Sequence, residues 1–385
     1  MGAYNLVQSI LTACAAGFSL LCGFLLGGIG IYQLFVSTTG DIADYPLYAF
    51  GLILLTIGFL LVPFTVAKFK SLRTTSQNTP GTDPGSVKSA TKILVASLIL
   101  WVILLVGGYF LAGKGLAAAL TMPVFAILGI LLPITIFITI LWRKVGVLET
   151  SRSWGALSTG MTLSPLVGTI LEFGILFLIL AFMMVILMQD SSLLGRLEIT
   201  ASRLANGQNQ PEIINNILAS FLSSPMNRFI VYSVIAGLIP IIEEIVKQIP
   251  FWLLAWRKLT PRDGLLVGAL GGAGFALTES LLTVTALGGT EEWLYQILGR
   301  AGAGLMHIVT GAIGGWGLAS AIQGKSYARA CLAYLASIVF HGLWNAMATW
   351  GGIAHLTSDS LPGFSVRFVS RRGCRYALAG QRAGS

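Results

Sequence analysis

The chain has 385 residues, of which 55% are hydrophobic and 10% are charged, and its formal net charge is +9 at pH 7. Soluble domains carry about 25% charged residues, so this composition excludes an ordinary soluble globular protein and indicates an integral membrane protein. The basic residues fall in short loops between apolar segments, which argues against a nucleic-acid partner and favours the positive-inside pattern of membrane proteins.

Nine apolar stretches come close to the length of about 20 residues that crosses the hydrocarbon core of a bilayer. They predict an all-α fold, a polytopic transmembrane helix bundle of about nine spans. In chain order the spans are 8–36, 45–66, 93–112, 116–142, 166–188, 229–256, 264–287, 301–323 and 330–351. The first stretch is too long for a signal-peptide core and lacks a basic segment before it, so we expect it to be retained as the first span.

Lys and Arg concentrate in the loops that follow the second, fourth, sixth and eighth spans. This alternation predicts a multi-pass membrane protein with the N-terminus and the basic loops in the cytoplasm. The tail after Leu356 is also rich in Arg, although nine spans place it outside. Either a span is miscounted or the tail lies beyond the reach of the rule.

Polar segments and ionisable residues divide the chain into four parts. Residues 1–190 form a five-span membrane region with a flexible linker at 74–91, which is rich in Thr, Ser, Pro and Gly. Residues 191–228 form an outer loop, within which apolar residues at helical spacing over 213–221 predict a short interfacial helix or a loop resting on lipid headgroups. Residues 229–351 form a four-span core, and residues 352–385 form a basic tail.

The last four spans all carry ionisable residues at membrane depth. These residues are Glu243, Glu244, Glu279, His307 and His341. A charge at the bilayer centre costs roughly 2.5–3.5 kcal/mol even on lenient scales, so such groups need a partner, a proton, a metal or a water-filled cavity. Lys247 is one candidate partner, because it follows Glu243 by four residues on the same helix face. Four helices that each contribute a group are typical of sites built in the core of a bundle.

Two histidines and one carboxylate match the protein ligands of a catalytic zinc site. We expect Glu279, His307 and His341 to bind the metal, with zinc as the cofactor. Glu243 would then be the general base of a peptide-bond hydrolysis, and Glu244 would assist it. Asn345 lies four residues after His341, where it could orient the imidazole or donate to the oxyanion.

Each of these groups also has a structural interpretation. A single intramembrane histidine is often a hydrogen-bond partner between helices. The GxxxG spacings Gly264–Gly268 and Gly311–Gly315 indicate close packing of helices rather than chemistry. Glu172, the main ionisable residue of the first five spans, is interpreted as a protonated or locally paired residue rather than a catalyst.

Four motifs on the last four spans resemble those of one known family. EEIVK (243–247) resembles an EExxK motif and FALTE (275–279) resembles an FxxxE motif. RAGAGLMHIVTG, which contains Arg300 and His307, and HGLWN (341–345) complete the ordered set. Over about 229–350 the chain is therefore similar to the PrsW family of intramembrane proteases, within the larger group that contains the CAAX prenyl proteases and the bacteriocin-processing Abi proteins.

The resemblance implies an intramembrane endopeptidase that cleaves a membrane-anchored protein or peptide, such as an anti-sigma factor in bacterial envelope-stress signalling. It also implies a location in a cell membrane, specifically a bacterial inner membrane. It implies that Glu243 and Glu244 are the essential acidic pair and that Glu279, His307 and His341 complete the active site. Ser280 departs from the Asn expected after the FxxxE glutamate. A metal-independent glutamate protease remains an alternative to the zinc enzyme.

Two other function classes fit the same residues. One is a CAAX prenyl endopeptidase or a bacteriocin-immunity type relative, which would be an enzyme with a different substrate. The other is a non-enzymatic ion or proton transporter, or a membrane scaffold whose buried charges hold the bundle together.

Overall fold

The computed structural model describes residues 2–36, 45–73, 84–112, 115–187, 222, 224–254, 259–283, 290–324 and 326–357. Within these ranges the chain is helical and contains no strand, which confirms the predicted all-α class. The α-helices are α1 (Gly2–Val36), α2 (Tyr45–Arg73), α3 (Pro84–Leu111), α4 (Gly115–Val145), α5 (Thr150–Met161), α6 (Leu163–Leu187), α7 (Pro225–Tyr232), α8 (Ile239–Val246), α9 (Ile249–Leu254), α10 (Pro261–Thr283), α11 (Thr290–Gly324) and α12 (Tyr327–Thr357). A π-helical turn, Ser233–Leu238, joins α7 to α8.

Nine helical segments of the described chain are long and apolar enough to cross a membrane. They are Thr12–Gln33, Leu47–Val66, Ala90–Leu111, Leu120–Val145, Arg152–Ile179, Pro225–Leu253, Pro261–Thr283, Trp293–Gly324 and Tyr327–Gly351. Each overlaps one of the predicted spans, so the predicted number of spans is confirmed. The chain is a multi-pass membrane protein.

The sequence predicts a flexible linker at 74–91, of which the structure describes the last eight residues. Helix α3 begins at Pro84, so residues 84–91 form its first two turns. Proline is favoured at the first position of a helix because its missing N–H would be unpaired there in any case. Residues 74–83, the predicted interfacial helix within 191–228 and the tail from 358 onward lie outside the described residues.

Helix α5 lies in the segment predicted to be a basic loop between the fourth and fifth spans. Its small residues give it little hydropathy, yet much of it is buried against α10. A Cβ on Gly160 would collide with the carbonyl oxygen of Gly271. The Thr278 hydroxyl donates a hydrogen bond to the Met161 carbonyl at 2.7 Å. Helix α5 therefore packs against α10, so that this side of α10 contacts protein rather than lipid. A hydropathy search does not reveal such a contact.

Glycines bring α10 and α11 into backbone contact. A Cβ on Gly268 would collide with the carbonyl oxygen of Gly311, and a Cβ on Gly264 would collide with that of Gly315. The two predicted GxxxG spacings thus face each other, and their role in close packing is confirmed. A Cβ on Gly272 would likewise collide with the backbone carbonyl oxygen of His307, so this packing fixes the height of His307 beside α10.

The chain forms two compact units. One consists of residues 1–189 and 233–345, and the other consists of residues 190–232 and 346–385. All of the site residues predicted from the sequence belong to the first unit. The four-part division of the chain drawn from the sequence stays a prediction.

Candidate active site

Helix α8 carries two adjacent carboxylates, Glu243 and Glu244, which are 8% and 1% exposed. This short helix has a proline near its start and follows directly on the π-helical turn. Ile242 and Val246 pack against apolar side chains of α6 and α10, whereas Ile241 is exposed. The buried face of this helix therefore carries two acidic residues, whereas an apolar residue lies on its exposed face.

His341 of α12 is held by Glu244. Its Nδ1 lies 2.8 Å from Glu244 Oε1, and Lys247 Nζ lies 2.6 Å from the same oxygen. Because a carboxylate oxygen only accepts hydrogen bonds, the short contact assigns the ring proton to Nδ1. The longer contact of 3.3 Å between Lys247 Nζ and Nδ1 is then a close approach of two donors rather than a bond. Nε2 of His341 is left as an acceptor.

His307 of α11 is held in the same way by Glu279. Its Nε2 lies 2.7 Å from Glu279 Oε2, and Arg300 donates from Nη1 to Glu279 Oε1 at 3.0 Å. This contact assigns the ring proton to Nε2 and leaves Nδ1 as an acceptor. The two imidazoles meet edge to face, with ring centroids 5.1 Å apart and an interplanar angle of 80°. A carboxylate that accepts the outer N–H of an imidazole fixes its tautomer and orientation.

Glu243 lies between the two acceptor nitrogens. Its Oε2 is 3.7 Å from His341 Nε2 and 4.0 Å from His307 Nδ1. Lys247 Nζ is also 3.7 Å from this oxygen, which makes a longer ion pair than the one with Glu244. Glu243 Oε2 and His307 Nδ1 are both buried and have no hydrogen-bond partner among the described residues. Three acceptor atoms from three helices therefore converge on one point.

These three residues fit a metal ion. Within the described chain, Glu243, His307 and His341 each offer one ligand atom, and the three atoms lie within 4.8 Å of one another. Zinc binds such atoms at about 2.0–2.2 Å in a tetrahedral arrangement, which places two ligands of one ion roughly 3.3–3.6 Å apart. The distances from Glu243 Oε2, 3.7 and 4.0 Å, come close to this separation, so small side-chain shifts would bring the atoms to one ion. Two imidazoles and one carboxylate are also the protein ligands of catalytic zinc sites.

The structure brings Glu243, Glu244, Glu279, His307 and His341 together as the sequence predicts. The roles of the two carboxylates Glu243 and Glu279 stay predictions, and their contacts differ from those expected. The sequence predicts Glu279 as the carboxylate that completes the metal group, whereas its side chain binds the outer nitrogen of His307 and Arg300. Glu243, predicted as the base, stands at the inner nitrogens instead. Spacing along the spans gives depth only, and it does not decide which edge of an imidazole a carboxylate meets.

Asn345 contacts the backbone rather than the imidazole of His341. Its Nδ2 donates to the Ile235 carbonyl at 3.0 Å, within the π-helical turn. Gly342 on the same helix lies against the same turn, because a Cβ there would approach the Ala236 carbonyl oxygen to 2.5 Å. Asn345 therefore ties α12 to the turn that precedes the acidic pair. π-Helical segments are frequent at functional sites.

Two contacts were not evident from the sequence. Lys247 pairs most closely with Glu244 at i, i+3 rather than with Glu243 at i, i+4. Arg300 forms an ion pair with Glu279. The sequence gives one indication of this contact, because Arg300 precedes His307 by seven residues and therefore lies two turns away on the same face of the helix. Phe275 forms a wall of the site, with its ring centroid 5.4 Å from that of His307.

Comparison with known protein families matches residues 166–369 to the PrsW family intramembrane metalloproteases. The match covers just over half of the chain, and it begins earlier than the resemblance read from the motifs, so that it includes α6. No curated protein and no solved structure matches the chain.

Proposed function

Because the chain belongs to the PrsW family of intramembrane metalloproteases and is an intramembrane protease, we propose that it cleaves a membrane-anchored regulatory protein, such as an anti-sigma factor. The observation that carries the site assignment is the convergence of Glu243 Oε2, His307 Nδ1 and His341 Nε2 between two imidazoles whose outer nitrogens are already bound. An ion or proton transporter would not need both imidazoles to be fixed in this way.

We assign Glu243, His307 and His341 as the residues that would hold the metal, with zinc as the metal that this ligand set suits. When bound, the metal would supply Lewis-acid polarisation of the scissile carbonyl group. Glu244 and Glu279 accept the outer N–H groups of the two imidazoles and keep their inner nitrogens unprotonated. Removal of such an outer partner typically lowers metal affinity by about 10–100-fold.

Glu243 also remains the proposed proton acceptor, through its second oxygen Oε1, because Oε2 is the oxygen assigned to the metal. A tenth of its side chain is exposed, and general-base catalysis requires a water molecule within hydrogen-bond reach of its carboxyl group. The carboxylate takes a proton from the attacking water and gives it to the leaving amine, which is general base and then general acid catalysis. Lys247 holds a positive charge beside both carboxylates and keeps Glu244 in place.

Asn345 is the proposed oxyanion donor. One N–H of its amide is bound to the Ile235 carbonyl, and an amide has two such donors. A helix places Asn345 on the same face as His341, one turn away. Loss of a single oxyanion donor typically lowers kcat by about 10²–10³-fold.

We place the protein in the cell membrane of a bacterium, with the N-terminus and the basic loops in the cytoplasm. Two hydrogen bonds support the location of three of those loops on the same side of the membrane. Arg262 donates from Nε to the Val145 carbonyl at 2.6 Å, and Gln323 donates from Nε2 to the Leu259 carbonyl at 3.0 Å. The loops after the fourth, sixth and eighth spans therefore meet at one end of the bundle.

The proposed function is tested by reconstituting the purified protein in vesicles with single-span peptides derived from membrane-anchored anti-sigma factors. We expect wild type to cleave at least one peptide, and Glu243→Gln and chelator-treated protein to leave it intact. Equal cleavage by wild type and Glu243→Gln would refute the site assignment. Cleavage of prenylated CAAX peptides in place of the single-span peptides would refute the proposed substrate class.

A further inference from the structure

Glu172 is a charged residue on a helix that otherwise presents apolar side chains. Its neighbours Leu171 and Phe173 are 46% and 66% exposed, and Phe177 is 71% exposed. In a membrane such a surface faces lipid, where an ionised carboxylate is costly and marks a functional position. Glu172 itself is only partly buried.

The carboxyl group of Glu172 points along the face of α6 that packs against the site helices. Gly168, Glu172 and Ile175 share this face, since they are four and seven residues apart. A Cβ placed on Gly168 would lie 3.4 Å from Val246 Cγ2 of α8, 3.7 Å from Phe275 Cε2 of α10 and 3.9 Å from Glu172 Oε1. Glu172 thus reaches the junction between α6, α8 and α10.

This junction borders the proposed catalytic group. Val246 follows Glu243 by three residues, and the ring of Phe275 lies 5.3 Å from Lys247 Nζ. The same ring is 5.4 Å from that of His307. Within the described chain Glu172 forms no ion pair with Lys247, although the two side chains lie near the same junction.

Glu172 has no hydrogen bond or ion pair with the described residues. The neighbouring carboxylates each contact a cation or an imidazole. Glu244 contacts Lys247 and His341, Glu279 contacts His307 and Arg300, and Glu243 forms a longer ion pair of 3.7 Å with Lys247. The Glu172 carboxyl group is therefore a partly exposed hydrogen-bond acceptor on the α6 side of the site. None of the described residues is its partner.

We propose that Glu172 is a substrate-positioning residue, whose carboxyl oxygen accepts a hydrogen bond from a backbone N–H of the substrate segment that has unwound for cleavage. A peptide bond within a helix must lose its helical hydrogen bonds before it can be attacked. Each N–H freed in lipid costs several kcal/mol unless another acceptor replaces the lost one. This inference rests on the proposed protease site, and it assigns a role in substrate binding to the N-terminal region.

The test uses the full-length protein in phosphatidylcholine vesicles and the single-span peptide that wild type cleaves fastest. Glu172→Leu removes the acceptor, Glu172→Gln keeps a neutral acceptor, and Phe173→Leu is the matched control on the same helix. A hydrogen bond to a charged group is worth about a tenfold to hundredfold change in binding. We expect Glu172→Leu to raise KM about tenfold or more at nearly constant kcat, Glu172→Gln to have a smaller effect, and Phe173→Leu to behave as wild type.

Binding without turnover provides the second readout. In the Glu243→Gln background, Glu172→Leu should weaken capture of the same peptide by about the same factor, with the thermal midpoint not lowered. An unchanged KM, or a fall in kcat at constant KM with full peptide capture, would overturn the positioning role. If Glu243→Gln itself remained active, the proposed site would fail instead, so that the two failures are distinct.

Discussion

Glu243 Oε2 is the atom on which the proposed chemistry of this site depends. It is buried, it has no hydrogen-bond partner within the part of the chain that the structure describes, and two imidazole nitrogens approach it with their lone pairs. Both imidazoles are fixed from outside, one by Glu244 and one by Glu279. A cation bound by all three atoms would satisfy them together, which no side chain of the site does at hydrogen-bonding distance.

Glu279 and Glu243 should therefore differ in their effect on metal binding. Glu279→Gln keeps an acceptor for the His307 N–H but loses the charge, so we expect zinc affinity to fall about 10–100-fold with a metal still bound at saturation. Glu243→Gln removes a ligand and should abolish stoichiometric binding. Competition with a chelator measures both, and Glu149→Gln, an exposed change far from the site, is the control. A larger loss in Glu279→Gln than in Glu243→Gln would restore Glu279 as the ligand.

Lys247 is fully buried, and its removal would leave Glu244 as an uncompensated charge. We expect Lys247→Met to lower the free energy of unfolding by about 3–5 kcal/mol. Adding Glu244→Gln to Lys247→Met should recover much of that loss. Unfolding in detergent without added metal measures these changes.

The matched comparison for Lys247 is Arg152→Met, which breaks an ion pair with Glu149 whose side chains are 39% and 49% exposed. Surface pairs of this kind contribute about 0–1 kcal/mol. Equal destabilisation by Lys247→Met and Arg152→Met would show that the buried pair is not a structural requirement.

At the scale of elements, the contact between α10 and α11 sets the position of His307. Both helices come together at glycines, and the backbone carbonyl of His307 lies where a Cβ on Gly272 would be. This contact could be predicted from the GxxxG spacings. The packing of α5 on α10 could not, because its small and polar residues carry neither a hydrophobic signal nor a charge pattern.

A side chain at Gly272 should separate α10 from α11. We expect Gly272→Val to lower the thermal midpoint and to lower activity at least tenfold, because His307 would move away from Glu279 and Glu243. Gly299→Ala is the control on α11, since a Cβ there meets no atom within 4 Å. Thermal unfolding and cleavage of a single-span peptide measure the two effects. Full activity of Gly272→Val would mean that the close contact does not position His307.

At the scale of the whole molecule, the number of spans follows from hydropathy because the bilayer fixes the length of each apolar stretch. The members of the site were also predictable, since each buried charge is costly enough to require a function. The contacts between these residues could not be predicted. Side-chain rotamers decide that Glu243, rather than Glu279, meets the inner edges of the imidazoles, and rotamers cannot be predicted from the spacing of residues along a helix.

The Lys and Arg residues in alternate loops predict the orientation of the protein in the membrane. In a variant without native cysteines, Glu149→Cys should be labelled by a membrane-impermeant maleimide only after the cells are permeabilised. Ser224→Cys, which precedes the sixth span, should be labelled on intact cells. The reverse pattern would place the basic loops outside and invert the topology.

Glu243, His307 and His341 are proposed to hold a catalytic metal. The metal content of the purified protein, measured by elemental analysis together with peptide cleavage, tests this assignment. We predict about one metal ion per chain in the active wild type, loss of metal and activity in Glu243→Gln, His307→Ala and His341→Ala, and retention of metal in Asn345→Ala. Active wild-type protein without metal, or His307→Ala and His341→Ala with the full metal content, would contradict it.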